Sequence, residues 1–148
     1  MTKLGLGLGL IALGFGAGMV AAKEAAKKEI VQKTVADLTW KEVAPGIPVM
    51  AAEDWKGPGG SHCGFNRFPK GFVVPSHFHS KDLYAVVIAG NWGSWAEGAT
   101  EKLVGPGGHQ FIPAKLKHST KCGEAAECVV YECGPGPFDL KGLPPPPK

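Results

Sequence analysis

The sequence lacks the motifs that identify several common classes of protein. It contains no phosphate-binding loop, no dinucleotide-binding glycine fingerprint and no Gly-x-Ser-x-Gly nucleophile elbow. Apart from Lys27-Lys28 it has no basic run, because its 16 basic and 13 acidic residues are interspersed and give a net charge of only +3. These absences argue against nucleotide-binding proteins, α/β-type serine hydrolases and nucleic-acid partners.

The composition favours an all-β fold. A chain of 148 residues predicts one domain, and its 22 Gly and 13 Pro suit short strands joined by tight turns. Turn residues separate about nine apolar or β-branched segments, which predicts an antiparallel barrel or jelly-roll sandwich. The predicted strands are 47–51, 62–68, 73–78, 83–89, 92–96, 101–104, 109–113, 117–122 and 128–132.

The first 22 residues differ from the rest of the chain. After Lys3 an uncharged stretch runs from Leu4 to Ala22 and closes with Val20-Ala21-Ala22, as in a cleaved secretory signal peptide. Two alternatives stay open: an uncleaved membrane anchor, which would be the chain's only membrane contact, and a glycine-rich packing helix. A cleaved signal predicts a bacterial protein that is periplasmic or secreted.

Three further regions follow the predicted signal segment. Residues 23–44 form a predicted helical leader, because Ala, Lys and Glu surround a modest apolar stripe. Residues 45–138 form the predicted barrel, and residues 139–148 form a solvated proline-rich tail. Neither flanking region is assigned any chemistry.

The strongest functional signal is a set of three histidines. Side chains two residues apart on a strand share one face, so His77 and His79 can bind one metal ion while Phe78 points away. A second half-site ends at His118, which supplies the third imidazole. We therefore predict His77, His79 and His118 as the ligands of a divalent transition metal: Fe, Zn, Cu, Ni or Mn.

The glycines and prolines around these histidines resemble the two sequence motifs of the cupins. The matching residues are Gly71, His77, His79 and Gly90 in the first motif, then Gly107, Pro113 and His118 in the second. The 16 residues between the motifs, 91–106, resemble those of small single-domain bacterial cupins. The segments 67–77 and 85–90 are similar to the anti-sigma-factor ChrR-like cupins and a related uncharacterised group. This resemblance implies a double-stranded β-helix, a small-molecule ligand or substrate and a homodimer.

One position departs from the cupin pattern. Cupins usually carry a metal-binding glutamate where this chain has Leu83. Strand alternation turns Asp82 and Tyr84 to the opposite face, unless a local bulge brings one of them back. Without the carboxylate, the centre keeps one more positive charge, so we expect it to prefer a small anionic bidentate ligand.

The resemblance leaves two classes of function open. Some cupin dioxygenases are said to use three-histidine iron centres, which implies a metal-dependent dioxygenase; a lyase or isomerase is also possible. The alternative is a non-catalytic sensor or storage cupin. Tyr84 is a candidate acid or base and Arg67 a candidate binder of a substrate carboxylate. His62 and His109 fit neither motif, and we expect them at the surface or at a cavity rim.

The four cysteines suit an exported protein. Cys122 and Cys128 flank a short predicted hairpin loop, so a cross-strand disulfide between them is the first choice. Cys63 and Cys133 would then form the second pair. Metal binding by thiolates is a rival interpretation, although no Cys-x-x-Cys spacing supports it.

Overall fold

The computed structural model describes residues 30–43 and 47–143, without the side chains of Glu53 and Asp54. The predicted signal segment 1–22 lies outside the described residues, as do most of the leader's first half and residues 144–148 of the tail. The chain divides into two units, residues 1–32 and 33–148, and every described strand belongs to the second. Within the described part of the chain, no helix is long and apolar enough to cross a membrane.

Two antiparallel sheets build the second unit, as predicted for a jelly-roll barrel. The larger sheet has the strand order β1-β2-β3-β9-β5-β7 and the smaller has the order β4-β8-β6. The strands are β1 Lys41–Glu42, β2 Met50–Lys56, β3 His62–Phe68, β4 Val73–His77, β5 Leu83–Ala89, β6 Trp92–Ala96, β7 His109–Ile112, β8 His118–Cys122 and β9 Cys128–Gly134.

Strand alternation separates the interior of this double layer from its outer faces. In β5 the buried residues Leu83, Ala85 and Val87 alternate with exposed ones, as expected for a sheet with one face in the core. One end of the interior is filled by apolar side chains that exclude water. This core consists of Val49, Phe68, Ala85, Val87, Trp92, Cys122, Cys128 and Val130.

Eight of the nine predicted strands are present, with shifts at some ends. The predicted strand 101–104 is wrong: in this segment only Val104 pairs, through a single bridge to Trp92. The two residues exchange hydrogen bonds of 2.9 Å in each direction, and the turn that contains Gly105 and Gly107 begins directly afterwards. The segment therefore pairs with β6 at one point only.

The leader differs from its prediction where the structure describes it. Residues 30–43 contain no α-helix but one 3-10 turn, Val35–Asp37, followed by β1. The Asp37 carboxylate accepts hydrogen bonds from both the main-chain N–H and the hydroxyl of Thr34, each of 2.8 Å, and closes a single turn. The β-branched residues Thr34 and Val35 add little helix propensity beyond it.

The sheet system also extends past both ends of the predicted barrel range 45–138. At the N-terminal side, β1 pairs with β2. At the C-terminal side, Lys141 pairs with Phe78 through a bridge, so the start of the predicted tail belongs to the packed structure. Residues 140–143 nevertheless remain exposed to solvent.

Both predicted disulfides are confirmed. Cys122 and Cys128 join the end of β8 to the start of β9, with Cα atoms 5.8 Å apart. Cys63 and Cys133 lie directly opposite each other on β3 and β9, with Cα atoms 4.2 Å apart. No cysteine of the chain is free, so thiolate metal binding is wrong for this structure.

Candidate metal centre

The three predicted histidines converge inside the barrel. His77 ends β4, His79 follows it by two residues, and His118 begins β8 directly opposite His77. Their exposed fractions are 4 %, 5 % and 1 %, and one ligand atom from each lies within 4.8 Å of the other two. The sequence therefore identified the residues of this cluster correctly.

A β-bulge in β4 directs His77 inward. Val74 pairs with Thr120 and His77 pairs with His118, so three steps along β4 match two along β8. Plain alternation would place residues three apart on opposite faces, whereas the extra residue lets Val74 pack on the core and His77 enter the same interior. His79, two positions on, then shares the face of His77.

Main-chain carbonyls fix the tautomer of all three imidazoles. In His77, Nδ1 lies 2.8 Å from the carbonyl oxygen of Pro75. In His79, Nδ1 lies 2.5 Å from the carbonyl oxygen of Asp139, and in His118 it lies 2.9 Å from that of Leu116. A carbonyl oxygen only accepts, so each Nδ1 must carry the proton and donate it. Each Nε2 therefore keeps a lone pair that can bind a metal ion.

The surroundings also favour the neutral form of the His77 and His118 imidazoles. Burial lowers the pKa of His77 to about 4, and burial also lowers the pKa of His118. Nε2 of His118 is buried and has no hydrogen-bond partner among the described residues. Neutral imidazoles with free Nε2 atoms are the form that a transition metal requires.

The ligand set fits a divalent metal with three protein donors. Metal–nitrogen bonds of ~2.0–2.1 Å require donor atoms within roughly 4 Å of one another, close to the spacing seen here. Leu83 is only 4 % exposed and faces the interior, so the position of the usual carboxylate is filled by an apolar side chain. Neither neighbour replaces it, because Asp82 Oδ1 accepts a hydrogen bond of 2.8 Å from the N–H of Ala114 and Tyr84 points outward.

The C-terminal segment supplies a contact that the sequence did not predict. The Asp139 carbonyl binds His79, and Asp139 Oδ1 accepts a hydrogen bond of 2.8 Å from the N–H of Ser80. Hydrogen bonds from Ser80 and the nearby Lys141 lower the pKa of the Asp139 carboxyl to about 2. The ring of Phe138 lies 5.2 Å from the His79 ring. Residues 138–141 therefore form one wall of the centre.

The two predicted catalytic residues do not reach the histidines. Tyr84 is 57 % exposed on the outer face of β5 and packs against Phe111, with ring centroids 4.9 Å apart. Arg67 lies 4.1 Å above the Trp40 ring, with its Nε 3.3 Å from Glu127 Oε1 but without hydrogen-bond geometry. Both residues alternate away from the interior, so neither is retained as a catalytic candidate at this centre.

A cavity of about 280 Å³ lies beside the cluster and includes His118 in its lining. Exposed Lys102 and His109 lie along it, which confirms the predicted cavity-rim position of His109. Gln110 also lines it, and its Oε1 is buried without a hydrogen-bond partner among the described residues. The cavity therefore offers a small polar molecule a path to His118.

Comparison with known proteins extends the resemblance to the fold. No protein-family model and no curated protein matches the chain. Among solved structures, the polyketide cyclase RemF from Streptomyces resistomycificus is 18% identical, with a TM-score of 0.65 over 79% of this chain and 87% of that one. An RmlC-like cupin protein from Ralstonia eutropha is 16% identical, with a TM-score of 0.61 over 76% of this chain and 74% of that one.

The ChrR-like resemblance has a structural counterpart as well. The Rhodobacter sphaeroides structure of SigE in complex with the anti-sigma ChrR is 20% identical, with a TM-score of 0.56 over 69% of this chain and 52% of that one. Identities this low establish architecture rather than activity. With its two antiparallel sheets and its inward-facing histidines, the chain has the fold of a small cupin.

Proposed function

We propose that this protein is a metal-dependent enzyme that acts on a small anionic compound at the centre formed by His77, His79 and His118. One observation carries the proposal: three buried imidazoles converge beside a cavity that His118 lines, and Nε2 of His118 is buried without a hydrogen-bond partner among the described residues. Three protein donors leave coordination positions open, as in catalytic rather than sealed structural sites.

The charge of the centre supports an anionic substrate. All three donors are neutral and Leu83 supplies no carboxylate, so the full charge of a divalent ion would remain to be balanced. Lys102 adds a positive charge beside the cavity. Gln110 Oε1 can accept one hydrogen bond from the substrate and thereby orient it.

The proposed metal is Fe, Zn, Cu, Ni or Mn; imidazole suits the first four best, and the three ligands do not separate these four from one another. A bound divalent ion would supply Lewis acidity and, if redox-active, activation of dioxygen. The protein's own residues hold the imidazoles in one tautomer and one orientation through the carbonyls of Pro75, Leu116 and Asp139. They also bury the donors from water.

The reaction class is either a lyase or isomerase conversion or a dioxygenation. The relative RemF is named a polyketide cyclase, which favours chemistry on an enolisable substrate without net oxidation. Oxygen consumption by iron-loaded protein with small β-diketones and thiols would separate the classes. Turnover without oxygen uptake assigns a lyase or isomerase, and binding without turnover assigns the sensor or storage alternative.

Metal analysis tests the ligand set directly. We expect about one metal ion per chain in protein purified from its own compartment. His77→Ala, His79→Ala and His118→Ala should each lose the metal. His109→Ala, which removes an exposed imidazole at the cavity rim, is the matched control and should retain it. Stoichiometric metal in the first three variants would contradict the proposal.

We further propose that the protein works outside the cytoplasm, in the periplasm or as a secreted protein. The support is the pair of disulfides, which persist in oxidising compartments. Cell fractionation of the bacterium, with mass determination of the mature N-terminus, tests this location. A cytoplasmic protein with four reduced cysteines would contradict it.

The proposed partner is a second copy of this chain. The outer face of the larger sheet exposes the apolar residues Tyr84, Val86, Ile88 and Phe111, on the adjacent strands β5 and β7. Contiguous exposed apolar patches can mark protein–protein interfaces. Light scattering should give a dimer for the wild type and a monomer for Val86→Glu. A monomeric wild type would contradict the proposal.

A further inference from the structure

A second, larger cavity lies on the side of the barrel formed by β2, β3 and β9. Its volume is about 640 Å³, within the range of small-molecule sites. Phe138 lines it and also contacts the ring of His79, so one aromatic ring stands between this cavity and the metal centre. The three metal-ligand candidates are not among its lining residues.

Glu132 places a carboxyl group in the wall of this cavity. The residue is 8 % exposed and directly opposite Gly64 on β3, where the missing side chain leaves room. The Asn66 amide donates a short hydrogen bond to Oε2 of Glu132. Burial raises the pKa of Glu132 to about 7. A carboxyl group that is mostly neutral below this pH, and buried, is well suited to exchanging hydrogen bonds with a polar ligand.

His62 contributes a second polar atom that the protein does not satisfy. Its Nδ1 donates a hydrogen bond of 2.7 Å to the carbonyl oxygen of Gly136, so its Nε2 carries the lone pair. That Nε2 is buried and has no hydrogen-bond partner within the described residues. A buried acceptor without a donor costs free energy, which a ligand hydroxyl would recover.

The remaining walls are largely apolar. Phe138 meets the His62 ring edge-on, with ring centroids 5.8 Å apart. Ala51, directly opposite Asn66, adds a small side chain on the β2 side. Such walls favour a ligand with an apolar ring or chain, while the polar atoms select its functional groups.

We propose that this cavity binds a small, uncharged, hydroxyl-bearing molecule whose apolar part lies against Ala51 and Phe138 and whose hydroxyl groups donate to His62 Nε2 and pair with Glu132. A hydroxyl group both donates and accepts, so it pairs with the Glu132 carboxyl in either protonation state. An anion would be repelled by ionised Glu132. A cation would lie near exposed Lys56, which also lines the cavity. The proposal does not require a metal ion at the three histidines.

The first test uses the wild-type protein and four ring compounds of similar size. Resorcinol has two hydroxyl groups, toluene none, benzoate a negative charge and benzylamine a positive one. NMR detection of the His62 imidazole nitrogens follows each titration. We expect resorcinol to move the Nε2 resonance and to bind about tenfold or more tightly than the other three. Equal affinity for toluene, or no response of His62 to resorcinol at millimolar concentration, would overturn the proposal.

Two variants separate this site from the metal centre. Glu132→Gln keeps the shape and removes the acid, and His62→Phe keeps a ring and removes the acceptor. Each should weaken resorcinol binding by about tenfold. Each should also leave the metal content unchanged, and His109→Gln should change neither property. If either variant lost metal together with resorcinol, or if resorcinol moved His118 rather than His62, the assignment of a separate site would be wrong.

Discussion

Nδ1 of His79 lies 2.5 Å from the main-chain carbonyl oxygen of Asp139, although 60 residues separate the two in the chain. The Asp139 side chain accepts a hydrogen bond from the N–H of Ser80, the residue after His79. One residue near the C-terminal end of the described chain therefore orients a metal-ligand candidate and holds the turn that follows it. Contacts of this kind fix imidazole orientation in metal sites.

Asp139→Ala should weaken metal binding although Asp139 is not a ligand. The change removes the carboxylate that anchors Ser80 and Lys141, so the Asp139 carbonyl is no longer held against His79. We expect the affinity for the metal to fall by about tenfold, which is the lower end of the range for residues that hydrogen-bond to metal ligands. Competition with a chelator measures it. Lys141→Met, which removes an exposed ion pair, is the control and should change the metal affinity little. An unchanged metal affinity in Asp139→Ala would contradict the role of Asp139 in orienting His79.

The sequence predicted the histidine cluster because strand alternation and residue spacing are local properties. It also placed Leu83 on the inner face, where the structure shows it. It did not predict the bulge between Val74 and His77, which depends on pairing with β8. The role of Asp139 was equally hidden, because its carbonyl oxygen is a main-chain atom that every residue type carries.

Strand alternation also predicts the side-chain directions of two other residues, Glu132 and Tyr84. Alternation along the correctly predicted strand segment from Cys128 turns Glu132 to the face of Val130, a core residue. Alternation in the sequence therefore predicts a buried carboxyl at this position. Alternation also sends Tyr84 outward, and its assignment as an acid or base required a bulge that β5 does not have at that position.

Leu83→Glu should restore a four-ligand centre. The substituted carboxylate would face the interior at the cupin glutamate position, so we expect tighter binding of a divalent metal than in the wild type. Without metal the same change should lower the free energy of unfolding by about 3–5 kcal/mol, because it buries an unpaired charge. Unfolding with and without metal, measured beside Leu83→Gln, separates the two effects. Equal metal affinity in Leu83→Glu and Leu83→Gln would show that position 83 does not face the metal.

Lys115 is the one described residue other than glycine with a positive φ, at 64°. Its N–H donates a hydrogen bond of 2.7 Å to the carbonyl oxygen of His79, so the turn must keep this conformation. Lys115→Gly should leave the metal content unchanged and raise the free energy of unfolding by up to about 1 kcal/mol. Lys115→Val, which is β-branched, should lower it by about 1–2 kcal/mol. Denaturant titration measures both, and a destabilised glycine variant would contradict this account.

The two disulfides should contribute unequally to stability. Cys63 and Cys133 are separated by 70 positions, whereas Cys122 and Cys128 are separated by 6. Loop-closure entropy then assigns about 4 kcal/mol to the first bridge and about 2 kcal/mol to the second. Unfolding of the double variants Cys63→Ala/Cys133→Ala and Cys122→Ala/Cys128→Ala measures the difference. The second pair is fully buried, so its variant also loses core packing, and the comparison should include Cys122→Val/Cys128→Ala.

Glu132→Gln should change how stability depends on pH. The pKa of Glu132 is raised from 4.5 to about 7 in the folded protein because of its burial, so the folded state binds more protons than the unfolded state between these values. The contribution of Glu132 protonation to the free energy of unfolding is therefore fully present below pH 4.5 and is lost above about pH 7. Between these limits the free energy of unfolding falls by up to roughly 3 kcal/mol. His77 acts oppositely, because its lowered pKa makes stability fall as the pH drops from 6.5 through about 4. Subtracting the unfolding free energy of Glu132→Gln from that of the wild type at pH 4, 5, 6, 7 and 8 cancels the histidines. A difference that does not change across this range would show that Glu132 ionises normally and is not buried.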